Sequence, residues 1–106
     1  MMEYRIVFSE TSLNDIKKLY DYISYVLHNN AAAVKLAGSI FETVKKLSLF
    51  PKSYPLCKEK MLKERNVRYV VVNNYKILYV VIDEKSEVLI ARVIYSKRNI
   101  DKIFVW

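Results

Sequence analysis

The sequence predicts an α+β fold in which an antiparallel β-sheet carries an N-terminal helical hairpin on one face. Two observations lead to this prediction. The last third of the chain contains three stretches rich in Val, Ile and Tyr, at 67–72, 75–82 and 88–96, separated by short polar turns. Before them, apolar residues recur every three or four positions in two stretches, which is typical of amphipathic helices. With a first strand at 4–9, the predicted order is β-α-α-β-β-β.

The chain is predicted to be a single domain covering residues 1–106. It holds one glycine and two prolines, and no Ser/Gly-rich, repetitive or low-complexity segment divides it. A hydrophobic content of 53% at this length is enough for one buried core without a metal or disulfides. No segment of the sequence has the composition expected of a boundary between two domains.

Two helices are predicted between the first strand and Pro51. Ser12 and Asp15 resemble a capping box at the start of the first helix. Asn29 and Asn30 interrupt the apolar pattern, because asparagine tolerates left-handed backbone at helix ends. Pro51 stops the second helix, and so short a break between the two makes them an antiparallel hairpin. The side chains predicted to point toward the sheet are Leu13, Ile16, Leu19, Ile23, Val34, Ile40, Phe41, Val44 and Leu47.

The connections are predicted from their turn chemistry. Residues 51–66 contain both prolines and a dense run of charges, so a loop is expected there. Asn73-Asn74 fits a two-residue hairpin turn with positive φ at its central positions. Residues 83–87 form the second turn, and 99–106 form a short aromatic tail with helical character.

Strand register decides which side chains share a face. Pairing through the asparagine turn puts Arg68 opposite Tyr79, and Lys76 opposite Val71 on the other face. The face of Arg92 depends on the length of the second turn. Since a slip of one residue reverses it, the sequence leaves that face open.

The charge balance points to a polyanionic partner. Lys and Arg number 18 against 11 Asp and Glu, which gives a net charge of +7. A small domain this basic is expected to meet nucleic acid, a membrane surface or an acidic protein segment. A soluble basic protein without such a partner is the alternative that charge alone leaves open.

Metal and disulfide chemistry have no obvious residues here. The single cysteine, Cys57, cannot form an internal disulfide, and with the single histidine, His28, it makes no Cys/His zinc site. We therefore expect no metal and no cofactor. The unpaired thiol fits a reducing cytosol, and the N-terminus lacks the apolar segment of a signal peptide. Because the longest apolar run, 77–82, is too short to cross a bilayer, we predict a soluble cytoplasmic protein with no membrane partner.

Cations alternate with tyrosines along the three predicted strands. These residues are Arg68, Lys76, Arg92, Lys97 and Arg98 among Tyr69, Tyr75, Tyr79 and Tyr95. Such a mixture suits a surface that holds phosphates and stacks on bases. The competing interpretation is structural. Tyr75 and Tyr79 share one strand face and would pack in or beside the core, and Arg92 would reach an edge or pair with an acidic residue of the helices.

Over nearly its whole length the chain resembles the RelE/ParE superfamily of bacterial toxins. The resemblance rests on Tyr4-Arg-Ile-Val-Phe-Ser9 before the hairpin, Leu47-x-x-Phe-Pro51 at its end, Arg68 before a strand, Tyr75-Lys-Ile-Leu-Tyr-Val-Val81, and Ile90-Ala-Arg-Val-Ile-Tyr-Ser-Lys-Arg98. No single piece is a strict motif, but their order and spacing together are specific. The resemblance implies the toxin of a type II toxin–antitoxin module.

Members of this superfamily differ in their target. RelE-like toxins cleave mRNA on the ribosome without a metal, whereas ParE-like toxins poison DNA gyrase. The resemblance implies growth arrest by one of these routes and neutralisation by a cognate acidic antitoxin. An inactive member that only binds its antitoxin is the third alternative. The segment from Arg92 to Arg98 looks closer to the ParE side, so a gyrase inhibitor is favoured over a ribosome-dependent endonuclease.

Four residues are predicted to form the active or target-binding site: Arg68, Lys76, Tyr95 and Arg98. Proteins similar to RelE have a strand lysine near Arg68 and arginines at the positions of Lys76 and Arg98. A tyrosine of their C-terminal tail falls near Phe104, so this chain lacks that hydroxyl. Metal-free RNA cleavage needs a base, an acid and cations around one phosphate. Lys76 between Arg68 and Arg98 would be the base, with Tyr95 as acid or stacking platform.

Overall fold

The structure, a computed structural model, describes residues 3–98, in which a helical hairpin covers one face of a four-stranded sheet. The strands are β1 (Arg5–Phe8), β2 (Val67–Val72), β3 (Tyr75–Ile82) and β4 (Glu87–Tyr95), and the helices are α1 (Glu10–Asp21), α2 (Asn30–Leu47) and α3 (Lys60–Glu64). The predicted α+β class is confirmed. The predicted tail at 99–106, with Phe104, lies outside the described residues.

The sheet has the strand order β1-β4-β3-β2. Strands β2, β3 and β4 are antiparallel, as predicted, but β1 runs parallel to β4. The sheet is therefore mixed rather than wholly antiparallel. A tight hairpin forces two strands to be antiparallel, but a long connection does not. Because most of the chain lies between β1 and β4, these two strands can pair in parallel.

The N-terminus of α1 is capped by Ser9. The Ser9 hydroxyl oxygen accepts a hydrogen bond from the Ser12 backbone N–H at 2.9 Å and donates one to the Ala91 carbonyl at 2.9 Å. This cap satisfies a free N–H of the first helical turn and ties the helix to the sheet. The capping box expected from Ser12 and Asp15 was wrong, because Asp15 pairs with Arg92 instead.

The main core lies between the hairpin and the sheet. Of the side chains predicted to point inward, Ile16, Leu19, Ile40, Val44 and Leu47 are buried, and Ile23 packs against them. The prediction was wrong for Leu13, Val34 and Phe41, which are 48%, 54% and 45% exposed. The neighbouring inward positions belong to small residues, Ser12 and Ala33, both fully buried. Because successive helical residues are rotated by about 100°, Leu13 and Val34 are turned toward the flank of the hairpin.

The hairpin bend follows the predicted break between the helices. Helix α1 continues as a π-helical turn, Tyr22–Val26, and His28 then takes a positive φ of 52°. The Asn29 side chain accepts a hydrogen bond from the Ala32 backbone N–H at 3.0 Å and so caps α2. An asparagine at this break therefore serves as an N-cap.

Part of the predicted loop at 51–66 folds as the short helix α3, so the loop prediction was wrong there. Leu62 anchors this helix on the sheet face opposite the hairpin, where it joins a second buried cluster with Cys57. One apolar anchor inside a charged run is too weak a periodic signal to predict a helix. The segment before α3 pairs with the outer edge of β2, since the Cys57 N–H donates to the Val67 carbonyl at 2.8 Å.

The Cys57 thiol should be inert in the folded protein. Burial raises its pKa to about 11, and the charge of Glu59 acts in the same direction. The neutral thiol therefore stabilises the fold below pH 9, and this contribution is lost as the pH rises from 9 toward 11. At pH 8 a thiol reagent should label the native chain at least about 100-fold more slowly than the urea-unfolded chain. Equal rates would contradict this prediction.

The pairing of β2 with β3 has the predicted register. Arg68 lies opposite Tyr79, and Lys76 lies opposite Val71. Asn73, at φ 52°, is the turn residue with positive φ, whereas both asparagines were expected to have it. Tyr79 belongs to the core under the hairpin, so Arg68 starts from that face and Lys76 from the opposite one.

A β-bulge in β4 changes the register beside Tyr79. Leu78 pairs with Arg92 and Tyr79 with Ile90, which leaves Ala91 as the extra residue. Strand β1 ends opposite Ile90, so the following part of β4 has α1 rather than β1 beside it. The sheet edge is open to side chains of α1 at this point.

Candidate functional site

A mostly buried ion pair joins α1 to this open part of β4. Arg92 donates from Nε and Nη2 to the two carboxylate oxygens of Asp15, at 2.8 and 3.0 Å, and the side chains are 17% and 12% exposed. The Val93 backbone N–H also donates to Asp15, at 3.0 Å. The Asp15 carboxylate thus accepts a backbone hydrogen bond that a neighbouring strand would otherwise accept from β4. The predicted pairing of Arg92 with an acidic residue of the helices is confirmed.

A cleft of about 230 Å³ opens beside this ion pair, between α1 and the ends of β3 and β4. We call it the α1–β4 cleft. Its lining residues are Asp15, Lys18, Leu19, Tyr22, Tyr75, Val93, Ile94, Tyr95 and Arg98. Two of the four predicted site residues, Tyr95 and Arg98, therefore meet in one concave surface.

The end of β4 holds these two residues in place. The Ser96 N–H donates to the Asn74 carbonyl at 2.7 Å, and the Arg98 N–H donates to the Tyr95 carbonyl at 3.0 Å. The Tyr95 ring meets the Tyr75 ring edge-on, with 5.9 Å between the ring centroids. The exposed Arg98 side chain thus extends from a backbone that the sheet and the turn both fix.

The α1–β4 cleft is lined by tyrosine rings and cationic side chains. Burial is the main cause that raises the pKa of Tyr75, and Tyr95 and then Tyr22 raise it further, as expected for three phenols close together. The cation Lys18 comes from the α1 side, and Arg98 comes from the turn after β4. The cleft is aromatic and carries positive charge at two of its walls.

Arg68 lies on the hairpin face but far along the sheet from the cleft. It pairs with Tyr79, four residues from Tyr75 on β3, which corresponds to about 13 Å along the strand. Its Nη1 donates to the carbonyls of Tyr54, at 2.6 Å, and of Lys52, at 3.4 Å. These bonds fix the segment before β2, so the structure gives Arg68 a supporting position.

Near Arg68, the cation Lys52 is already paired with the carboxylate of Asp83. Asp83 accepts hydrogen bonds from the Lys52 ammonium and the Tyr4 hydroxyl, each at 2.8 Å. The bond from Lys52, and next that from Tyr4, holds the pKa of Asp83 below its usual value. The cation nearest to Arg68 in this network is therefore engaged by a carboxylate.

Lys76 lies on the opposite face of the sheet. Its Nζ is 5.0 Å from the centroid of the Tyr69 ring, a cation–π contact. It lines a small pocket with Cys57, Lys58, Glu59 and Tyr69. Neither Arg68 nor Arg98 lines that pocket, so the two cations predicted to make Lys76 a base are placed elsewhere.

The predicted quartet is therefore divided. Tyr95 and Arg98 share the α1–β4 cleft, whereas Arg68 and Lys76 lie in two other places. The roles of all four residues remain predictions. Sequence reasoning missed the α1 side of the cleft, Lys18 with Tyr22. These two are one helical turn apart, and nothing distinguishes them from ordinary surface residues until α1 is seen beside β4.

Among residues 3–98, no group of three or more His, Cys, Asp and Glu side chains is arranged to hold a metal ion. Within the same part of the chain, no helix is both long and apolar enough to cross a membrane.

Several solved structures from bacterial toxin–antitoxin systems have the same fold. A chain of the chromosomal ParDE system from P. aeruginosa matches with a TM-score of 0.74 at 18% identity, over 90% of this chain and 98% of that one. A chain of the RelBE2 toxin–antitoxin complex from Mycobacterium tuberculosis gives 0.67 at 21% identity, over 90% and 93%. A chain of the intact E. coli RelBE complex gives 0.61 at 18%, over 90% and 99%. These likenesses define the fold as RelE/ParE-like.

The sequence itself shows the family. Residues 6–100 match the family described as the ParE toxin of the type II toxin–antitoxin system, parDE. This chain belongs to the ParE toxin family and is the toxin component of a type II toxin–antitoxin system. No curated protein sequence matches it significantly. The predicted membership of the RelE/ParE superfamily is confirmed, on its ParE side.

Proposed function

We propose that this toxin arrests growth by binding and poisoning DNA gyrase, as its resemblance to the ParE side of the superfamily implies. The supporting observation is the division of the predicted site. Tyr95 and Arg98 lie together, whereas Lys76 is on the opposite face and Arg68 is held by main-chain carbonyls. An inhibitory binder needs a shaped surface, and it does not need an acid and a base at one bond.

Metal-free RNA cleavage makes a stricter demand. Attack by the 2′-hydroxyl needs one group to take a proton, another to return one, and cations at the phosphoryl oxygens, all within hydrogen-bond reach. Lys76 is opposite Ile94 in the sheet, and Tyr95 is the next residue, so their side chains leave opposite faces. A single phosphodiester does not reach both. This geometry favours the binder over the endonuclease.

Gyrase activity with the purified toxin tests the proposal. Relaxed plasmid, ATP and gyrase should yield less supercoiled DNA as toxin is added, and detergent should release cleaved DNA attached to gyrase. Added antitoxin should restore supercoiling. In a translating extract the same amount of toxin should leave mRNA intact.

Two other results would contradict the gyrase proposal. Normal gyrase activity with mRNA cut on the ribosome would support the endonuclease. Normal activity in both assays, with antitoxin binding retained, would support an inactive member that only binds its antitoxin.

A cognate acidic antitoxin is the second partner in this proposal. The solved relatives include complexes of toxin with antitoxin, and a net charge of +7 suits an acidic segment. The hairpin exposes the apolar side chains Leu13, Val34 and Phe41. A disordered acidic segment that folds across the hairpin would bury apolar side chains of this kind.

Association of toxin and antitoxin should slow when salt is added, because salt screens the attraction between a basic and an acidic chain. We expect the association rate to fall at least about tenfold between about 50 and 500 mM NaCl, while the dissociation rate changes less. Stopped-flow measurements at several salt concentrations check this. A neutralised antitoxin, with its Asp and Glu replaced by Asn and Gln, serves as the control. An association rate independent of salt would contradict the charge-steering role.

A further inference from the structure

The fold leaves aromatic surface uncovered inside the α1–β4 cleft. The Tyr22 side chain is 53% exposed and that of Tyr95 is 40% exposed, although both line a concave surface. The Tyr75 ring packs against the Tyr95 ring in a T-shaped arrangement. One T-shaped contact occupies at most one face of the Tyr95 ring, so Tyr75 leaves at least the other face uncovered. Within residues 3–98, the cleft thus presents tyrosine surface that packing does not use.

The charges in the cleft favour an anion. Lys18 and Arg98 are both exposed cations, and they approach from two different walls. The carboxylate in the lining, Asp15, is engaged by the Arg92 guanidinium and by the Val93 N–H. Its charge is therefore compensated within the protein, and a ligand phosphate in the cleft would meet the two cations.

We propose that the α1–β4 cleft binds a single-stranded DNA segment, with one base stacked on the faces of Tyr22 and Tyr95. The flanking phosphates would contact Lys18 and Arg98. Every base offers a π-face to an aromatic side chain, and cations beside such a platform follow the backbone. A cleft of about 230 Å³ is smaller than most sites for drug-sized ligands and suits one base.

The combination of rings and cations favours a nucleotide over an acidic peptide. Carboxylates would engage Lys18 and Arg98 but leave the tyrosine faces without a flat partner. A nucleotide occupies both, since it joins a planar base to a phosphate. The choice of DNA rests on the proposed gyrase target, but the cleft is tested without gyrase, so the two proposals can fail separately.

The test measures binding of the purified toxin to short fluorescent oligonucleotides by anisotropy. We expect a dT trimer to bind at least tenfold more tightly than an abasic trimer with the same phosphates, because only the first can stack. If two phosphates are contacted, a plot of the logarithm of the association constant against the logarithm of the salt concentration should have a slope of about −1.4. Arg98→Gln should reduce this slope by about half.

Matched variants separate stacking from general charge. Tyr95→Ala should weaken dT binding about tenfold, whereas Tyr95→Phe, which keeps the ring, should bind like the unmodified toxin. Tyr25→Ala removes an exposed tyrosine of the hairpin bend, and Lys85→Gln removes an exposed cation in the turn before β4; both should bind normally. Circular dichroism confirms folding of each variant.

Four outcomes would overturn the proposal. Equal binding of dT and abasic trimers, or equal effects of Tyr95→Ala and Tyr25→Ala, would mean that charge alone attracts the DNA. Tighter binding of an rU trimer than of dT would overturn the assignment to DNA. An oligoglutamate peptide that competes with dT and shows the same dependence on Tyr95 would make the cleft a protein-binding site.

Discussion

Replacing Arg98 with alanine should remove most of the growth arrest that follows expression without antitoxin, while the fold remains intact. Arg98 is exposed, and apart from its backbone bond to Tyr95 it extends from the end of the sheet toward solvent. Exposed substitutions of this kind usually change the free energy of unfolding by less than about 0.5 kcal/mol. The loss of a cation from the α1–β4 cleft should therefore appear in activity and not in stability. Growth curves after induction, with thermal unfolding of the purified variant, measure both effects.

Lys85→Ala is the matched control for this prediction. Lys85 is an exposed cation in the turn before β4, at the opposite end of the same strand. The two variants have the same net charge, so only the position of the lost cation differs. We expect the Lys85 variant to remain fully toxic. A folded Arg98→Ala toxin that still arrests growth would exclude the cleft as the toxic surface and direct attention to the helical hairpin.

Replacing Asp15 with alanine should lower the free energy of unfolding by about 3 kcal/mol, since truncating one member of a buried ion pair is strongly destabilising. The substitution removes the carboxylate that holds the Arg92 guanidinium and the Val93 N–H at the open edge of β4. Both groups are shielded from most of the water that would otherwise solvate them. Urea denaturation followed by far-ultraviolet circular dichroism measures the loss.

Asp21→Ala provides the control on the same helix. Asp21 pairs with Lys17 at 2.8 Å, but the two side chains are 40% and 74% exposed. An exposed pair one helical turn apart contributes little to stability, because water screens the two charges. If the Asp15 and Asp21 variants lost the same stability, the pair between α1 and β4 would be no more important than a surface contact.

Local chemistry was sufficient to predict the sheet, but not every detail of it. The asparagine turn fixed the register of β2 against β3, so Arg68 and Lys76 were correctly placed on opposite faces. The position of Arg92 depended on the bulge at Ala91, which no sequence pattern marks. In the helices, Ser12 occupies an inward position although it is polar, because its hydroxyl is satisfied by the Ser9 carbonyl. A helical pattern counted from apolar residues alone misses inward positions that a polar residue occupies.

Only the β4 side of the candidate site could be predicted from the sequence, because its residues are neighbours along the chain. Tyr95 and Arg98 are close in sequence and belong to one strand end, so their proximity follows from local geometry. Lys18 and Tyr22 reach the same cleft from a helix more than 70 positions earlier. Their approach follows from the packing of α1 beside β4, where Asp15 pairs with Arg92. The sequence offered an acidic helical partner for Arg92 but did not reveal which residue it is or where α1 lies along β4.

The parallel pairing of β1 with β4 has a consequence for synthesis on the ribosome. Arg5 pairs with Glu87 and Phe8 with Ile90, in each case with a partner 82 positions further along the chain. Because the ribosome makes the chain from its N-terminus, β1 waits without its strand partner until β4 has been translated. The α1 side of the α1–β4 cleft is likewise made well before the β4 side. The proposed toxic surface therefore cannot form until β4 has left the ribosome and paired.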